Sequence, residues 1–152
     1  MKVLIVLLLL MVELSAVSTN ELVGRWQAMR QVTNKGTLTI EKEYLTLNAN
    51  HTFKILAFVS VKKENAFIKD MRIDASGIWK VWNNTVVIVV NKVEVPNAAE
   101  IYRISQESLR NFAATFKRKY ENEPIRINKI MALDQNNLRW VNEAEVVTAY
   151  TR

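Results

Sequence analysis

The side chains that most often carry catalysis or metals are scarce in this chain of 152 residues: there is one histidine, His51, and there is no cysteine. Zinc, copper and haem sites draw on several His or Cys ligands, so the usual sets cannot be assembled from these residues. The lack of Cys also removes thiol chemistry and iron–sulfur clusters. Nucleophilic catalysis needs Ser, Thr or Cys beside a base that a third group holds, and His51 is flanked by turn residues with no G-x-S-x-G pattern nearby. In a turn, His51 reads as a residue tolerated in the left-handed region or facing solvent. Paired carboxylates could hydrolyse glycosides, but Asp70, Asp74, Asp134 and the scattered glutamates give no pair by spacing. These residues point to a protein that is not an enzyme and that has no metal or other cofactor.

The aromatic residues offer binding rather than bond-making chemistry. Trp26, Trp79, Trp82 and Trp140 all fall on predicted strands, where large rings either fill a core or line a cavity. As a set with the aliphatic residues that share their strand faces, Phe53, Ile55, Val59, Ile73, Trp79 and Trp140 would suit an apolar ligand pocket. Lys117, Arg118 and Lys119 could meet a head group or carboxylate, but on a helix they point in different directions and read more simply as a solvated helix end. Asn50-His51-Thr52 and Asn83-Asn84-Thr85 match glycosylation sequons, and both coincide with turns that favour Asn anyway.

Strands must position these residues. From Thr52 to Lys62 one parity, Phe53, Ile55, Ala57, Val59 and Val61, is wholly apolar, which is the signature of a strand with one buried face. The same holds for Ile73, Ala75, Gly77, Trp79 and Val81 up to a hairpin turn at Asn83-Asn84. Thr85 to Val90 is a β-branched run that reads as a strand buried on both faces, extended by Val93 and Val95 to Pro96. Glu43 to Asn48 pairs through the turn Asn48-Ala49-Asn50-His51 with the strand from Thr52. Residues 125–133, 138–142 and 145–151 supply three more strands, each beside the next. Leu109, Phe112, Ala113, Phe116 and Tyr120 recur instead at helical spacing, Ser105 is a suitable N-cap, and the spacing predicts one helix over 106–121, on the sheet or across a barrel end.

The first residues read as an address rather than as fold. Met1 and Lys2 precede an apolar run from Val3 to Val12, and Ala16-Val17-Ser18 supplies small residues for a signal peptidase, with the cut expected after Ser18. The run is shorter than the about 20 residues a bilayer span needs, and with no Cys near the cut a lipid anchor is excluded. Removing residues 1–18 takes away Lys2 and Glu13, one charge of each sign, so the net charge of +6 is unchanged. Outside the cytoplasm such a charge meets anionic lipid or protein surfaces and carboxylates, not nucleic acid. Residues 19–152 fit one domain, large enough to fold on packing alone. The expected location is the periplasm or the exterior.

Leu22-Val23-Gly24-Arg25-Trp26 carries the G-x-W arrangement of the first lipocalin strand. Tyr44 to Phe53 resembles the strand-turn-strand of compact bacterial lipocalin-like domains, Gly77-Ile78-Trp79 resembles their next signature, and the ending Ala149-Tyr150-Thr151-Arg152 is also similar. The resemblance implies a mainly β fold of calycin type, an antiparallel meander barrel of about eight strands; the one amphipathic helix over 106–121, set before the last three strands, departs from the family's pattern. It also implies that Gly24, Trp26 and Arg152 close one barrel end, the guanidinium stacked on the indole. The function expected is an exported binding protein carrying a small hydrophobic or amphipathic ligand in the barrel. The alternative is a closed barrel that acts as an envelope or protein-interaction module.

Overall fold

The computed structural model describes residues 16–152 except Asn97 and Ala99. The apolar run of the expected signal peptide lies outside the described residues.

A single helical turn, α1 (Thr19–Leu22), opens the described chain, with the Ser18 backbone N–H and hydroxyl both donating to the Glu21 carboxylate. Five strands follow in a meander: β1 (Gly24–Asn34), β2 (Thr37–Leu47), β3 (Thr52–Lys63), β4 (Ala66–Trp82) and β5 (Thr85–Glu94), each antiparallel to the next. The chain then forms a short strand β6 (Glu100–Tyr102) and helix α2 (Gln106–Asn122) before β7 (Ile125–Leu133), β8 (Asn137–Asn142) and β9 (Val147–Thr151). β7 returns beside β5, and β9 reaches β1 through the pair Gln27–Thr151, which closes the sheet into an eight-stranded antiparallel barrel. β6 stands outside the barrel and lengthens the edge of β4 at Phe67–Lys69.

The inward faces form the core. Phe53, Ile55, Ala57 and Val59 of β3 are buried in strict alternation, as their parity requires. The expected β2 and β4 were too short, because bulges or a diluted pattern hide their outer halves. In β4, Asp70 adopts φ 47° and its backbone N–H donates to the Ser60 hydroxyl at 2.9 Å. The register slips there, so the buried residues step from Ile68 to Met71 rather than by two. The β5 run is not buried on both faces: Val86, Ile88 and Val90 are inside, while Thr85, Val87 and Val89 are only half-buried on the outer side of the wall. The last strand starts at Val147 rather than Glu145, since the Asn142 side chain accepts from the N–H groups of Ala144 and Val146 and holds residues 142–146 in a turn. Helix α2 begins where expected, Ser105 Oγ accepting from Ser108 N at 3.0 Å. Its stripe, Leu109, Phe112, Ala113 and Phe116, packs on the core, and Tyr120 is buried.

The two ends of the barrel differ. At one end lie α1, the turns at 48–51, 83–84 and 134–136, and the C-terminal residue. At the other lie the turns at 35–36, 64–65 and 143–146 and the long connection that contains α2.

Candidate ligand cavity

The first end is plugged. Gly24 holds φ 140°, a conformation that favours glycine, and lets the chain pass from α1 into β1. Trp26 is fully buried with its indole N–H donating to the Leu22 carbonyl at 2.8 Å, and the Arg152 guanidinium carbon sits 4.0 Å from its ring centroid. Arg152 also donates to the carbonyls of Glu21 and Val23 at 2.7 and 3.1 Å. The plug is therefore a stack fastened by three hydrogen bonds to the end of α1. Next to it Trp79 donates to the Asn48 carbonyl at 3.1 Å. His51, at φ 63° in the turn, tilts against the Trp79 ring at 5.7 Å and serves the turn.

Toward the other end the same inward rows change chemistry. The β1 parity of Trp26 continues to Ala28 and Arg30, and that of Leu47 and Leu45 continues to Glu43 and Glu41. The inward row of β7 runs from Ile130 to Asn128 and Arg126. These residues, with Trp140, Tyr150, the C-terminal turn of α2 and exposed residues such as Met29 and Val147, line a partly open cavity of about 660 Å³, within the roughly 300–1,000 Å³ of small-molecule sites. Its floor is apolar, with Leu45, Ile55 and Trp140, and its upper wall is polar. The seam of the barrel borders it. β1 and β9 are paired only at Gln27–Thr151, and beyond that point Ala28–Arg30 and Val147–Tyr150 both line the cavity.

Glu43 is central to the polar wall. Tyr150 donates its phenol proton to Glu43 Oε1 at 2.5 Å, a length typical of a charge-assisted O–H···O bond. Burial pushes the Glu43 carboxyl above the usual carboxylate range, an effect that the Tyr150 hydrogen bond opposes. Nearby Glu41 adds to the rise, while Arg126 and Arg30 oppose it. The residue nevertheless keeps some accessible surface, because it faces the cavity. Burial and then the Glu43 charge hold the Tyr150 phenol well above its ordinary value, and the same two causes push Tyr120 up to about 12. Around this carboxyl, Arg30 is paired with Glu41 at 2.8 Å and the Arg126 guanidinium lies 4.0 Å from the Tyr120 ring centroid. Trp140 and Tyr150 meet edge to face at 5.0 Å. Asn128 is the one buried polar residue among those described, and it lines the same space.

Of the lining residues expected from sequence, Ile55 and Trp140 face the cavity. Phe53, Val59, Ile73 and Trp79 do not line it: they are buried in the packed part of the barrel. Glu43, Tyr120, Arg126 and Tyr150 were the residues that sequence reasoning passed over. Their signal was present in Glu43, a carboxylate on the parity of Leu45 and Leu47. Of the basic triplet on α2, Lys117 lies 3.7 Å from Glu121, and only Lys119 reaches the cavity rim. Among the described residues no grouping of three or more His, Asp or Glu could hold a metal ion, and no helix is long and apolar enough to cross a membrane. The chain matches no family model and no curated protein; its closed eight-stranded antiparallel meander barrel is compatible with a lipocalin-like fold.

Proposed function

We propose that this is an exported lipocalin-like binding protein that carries a small amphipathic molecule in the cavity beside the seam. The observation that supports this reading is the cavity itself: about 660 Å³, with an apolar floor at Leu45, Ile55 and Trp140 and a polar upper wall around Glu43. Such a gradient receives a hydrophobic body below and holds its polar end by hydrogen bonds above, which fixes the orientation of a ligand. A barrel serving only as a closed interaction module has no use for a pocket of this size and gradation. Export belongs to the proposal through the sequence of residues 1–18 alone, with its apolar run and small-residue cut site.

Native mass spectrometry of protein purified from its own source cell tests the carrier reading. The expected result is a stoichiometric small-molecule adduct that is lost in Ala28→Trp, a change that fills the cavity from an inward position of β1. A clean unliganded mass, together with unchanged tryptophan fluorescence across a panel of amphiphiles, would overturn it.

A further inference from the structure

From the arrangement around Glu43 we infer that the cavity selects ligands with a cationic amine head group, docked between the Glu43 carboxylate and the Trp140 and Tyr150 rings. The inference rests on the carrier reading and names its ligand class.

Three observations carry it. The first is the pairing of charges. Arg30 is engaged by Glu41 at 2.8 Å, and Arg126 is stacked on Tyr120. Glu43 accepts a hydrogen bond from Tyr150, but no Lys or Arg nitrogen lies within 4 Å of it among the described residues. Arg126 and Arg30 act on Glu43 only from a distance, and a buried carboxylate with no cation in contact is costly, so a ligand ammonium would supply the contacting partner. The second is the aromatic wall. Trp140 and Tyr150 line the cavity beside Glu43, and the electron-rich faces of such rings attract ammonium groups. The third is the contrast with the rest of the molecule. The chain carries a net charge of +6, whereas the cavity lining holds Glu41, Glu43, Glu123 and Glu143 against Arg30, Lys119 and Arg126. A carboxylate ligand would be drawn to the outer surface, and at the cavity it would meet Arg30 already paired with Glu41 and Arg126 held with its guanidinium against the Tyr120 ring.

Binding is then linked to protons. The groups facing Glu43 are Glu41 on its own strand, Arg30 of β1, Arg126 of β7, Tyr150 of β9 and Tyr120 of α2. An ammonium in contact favours the ionised carboxylate, so amine binding weakens as the pH falls and the Glu43 carboxyl takes up its proton.

The test is calorimetric titration of the folded protein with octylamine, octanol and octanoate near neutral pH. Octylamine is expected to bind roughly tenfold or more tightly than octanol, with octanoate no better than octanol. Glu43→Gln is expected to remove the amine preference, so that octylamine binds no more tightly than octanol. Should that variant not fold, the head-group preference of the unaltered protein decides the matter. Octanoate binding as well as or better than octylamine overturns the head-group inference and leaves the carrier reading standing. Failure of all three to bind folded protein overturns both.

Discussion

Glu43 shows how one residue can serve a site at some cost to the fold. Its position continues the inward row of Leu47 and Leu45, where an apolar side chain would pack, yet it is a carboxyl held by the Tyr150 phenol. Because burial raises its pKa, the native state retains this proton to a higher pH than the unfolded chain does. As pH climbs from the ordinary carboxylate range, the unfolded chain loses the proton first, and the contribution of this residue to stability declines until the native group ionises too. Each unit of elevation corresponds to about 1.4 kcal/mol. Urea unfolding of the unaltered protein and of Glu43→Gln, followed from about pH 4 to 8, should therefore show the variant gaining relative stability as pH rises. A difference that does not change with pH would remove this account. In the sequence, Glu43 could be seen to share a face with Leu45, but nothing local said that Tyr150, 107 positions away, would meet it.

At the scale of the element, legibility followed the continuity of the two-residue period. β3 reads from its sequence almost to the residue, since no inward position between Phe53 and Val59 breaks the alternation. β4 and β5 read less well because each carries an extra residue that resets the phase, Asp70 in one and Asn91 in the other. The bulge at Asn91 explains the glycine in Gly77-Ile78-Trp79. A Cβ on Gly77 would stand 2.0 Å from the Val89 carbonyl oxygen and 3.0 Å from the Phe53 ring. Gly77→Ala should cost the upper part of the roughly 1–3 kcal/mol typical of overpacking, read as a lowered urea midpoint. A midpoint within experimental scatter of the unaltered protein would show that β5 can move aside freely. Helix α2 was legible because Ser105 caps it and its stripe keeps a 3.6-residue period without interruption.

Across the whole molecule, the sheet becomes a barrel through a narrow join. β1 and β9 share the pair Gln27–Thr151, and Arg152, the next residue, ties the end of the chain to α1 and to Trp26. Arg152→Ala removes the stack and two charge-assisted hydrogen bonds, and it should cost about 1–2 kcal/mol. The amides of β9 should then show faster hydrogen exchange, since opening the join frees that strand from β1. Unchanged protection in β9 would mean that its pairing with β8 alone holds it.

The sequence by itself determined most of the barrel strands, though not their full lengths, together with helix α2 and the meander order, because these depend on local periods and turn chemistry that the residues carry with them. It also marked Trp26 and Arg152, through the resemblance of Gly24-Arg25-Trp26 and the chain ending. Only the tertiary structure decided which inward residues pack and which line a space. Phe53 and Ile55 share one face of one strand, yet the first is core and the second is cavity wall. The difference is set by their level along the barrel and by what stands opposite, which depends on how eight strands close and on where α2 comes to rest. Those relations join residues far apart in the chain, so no window of sequence contains them.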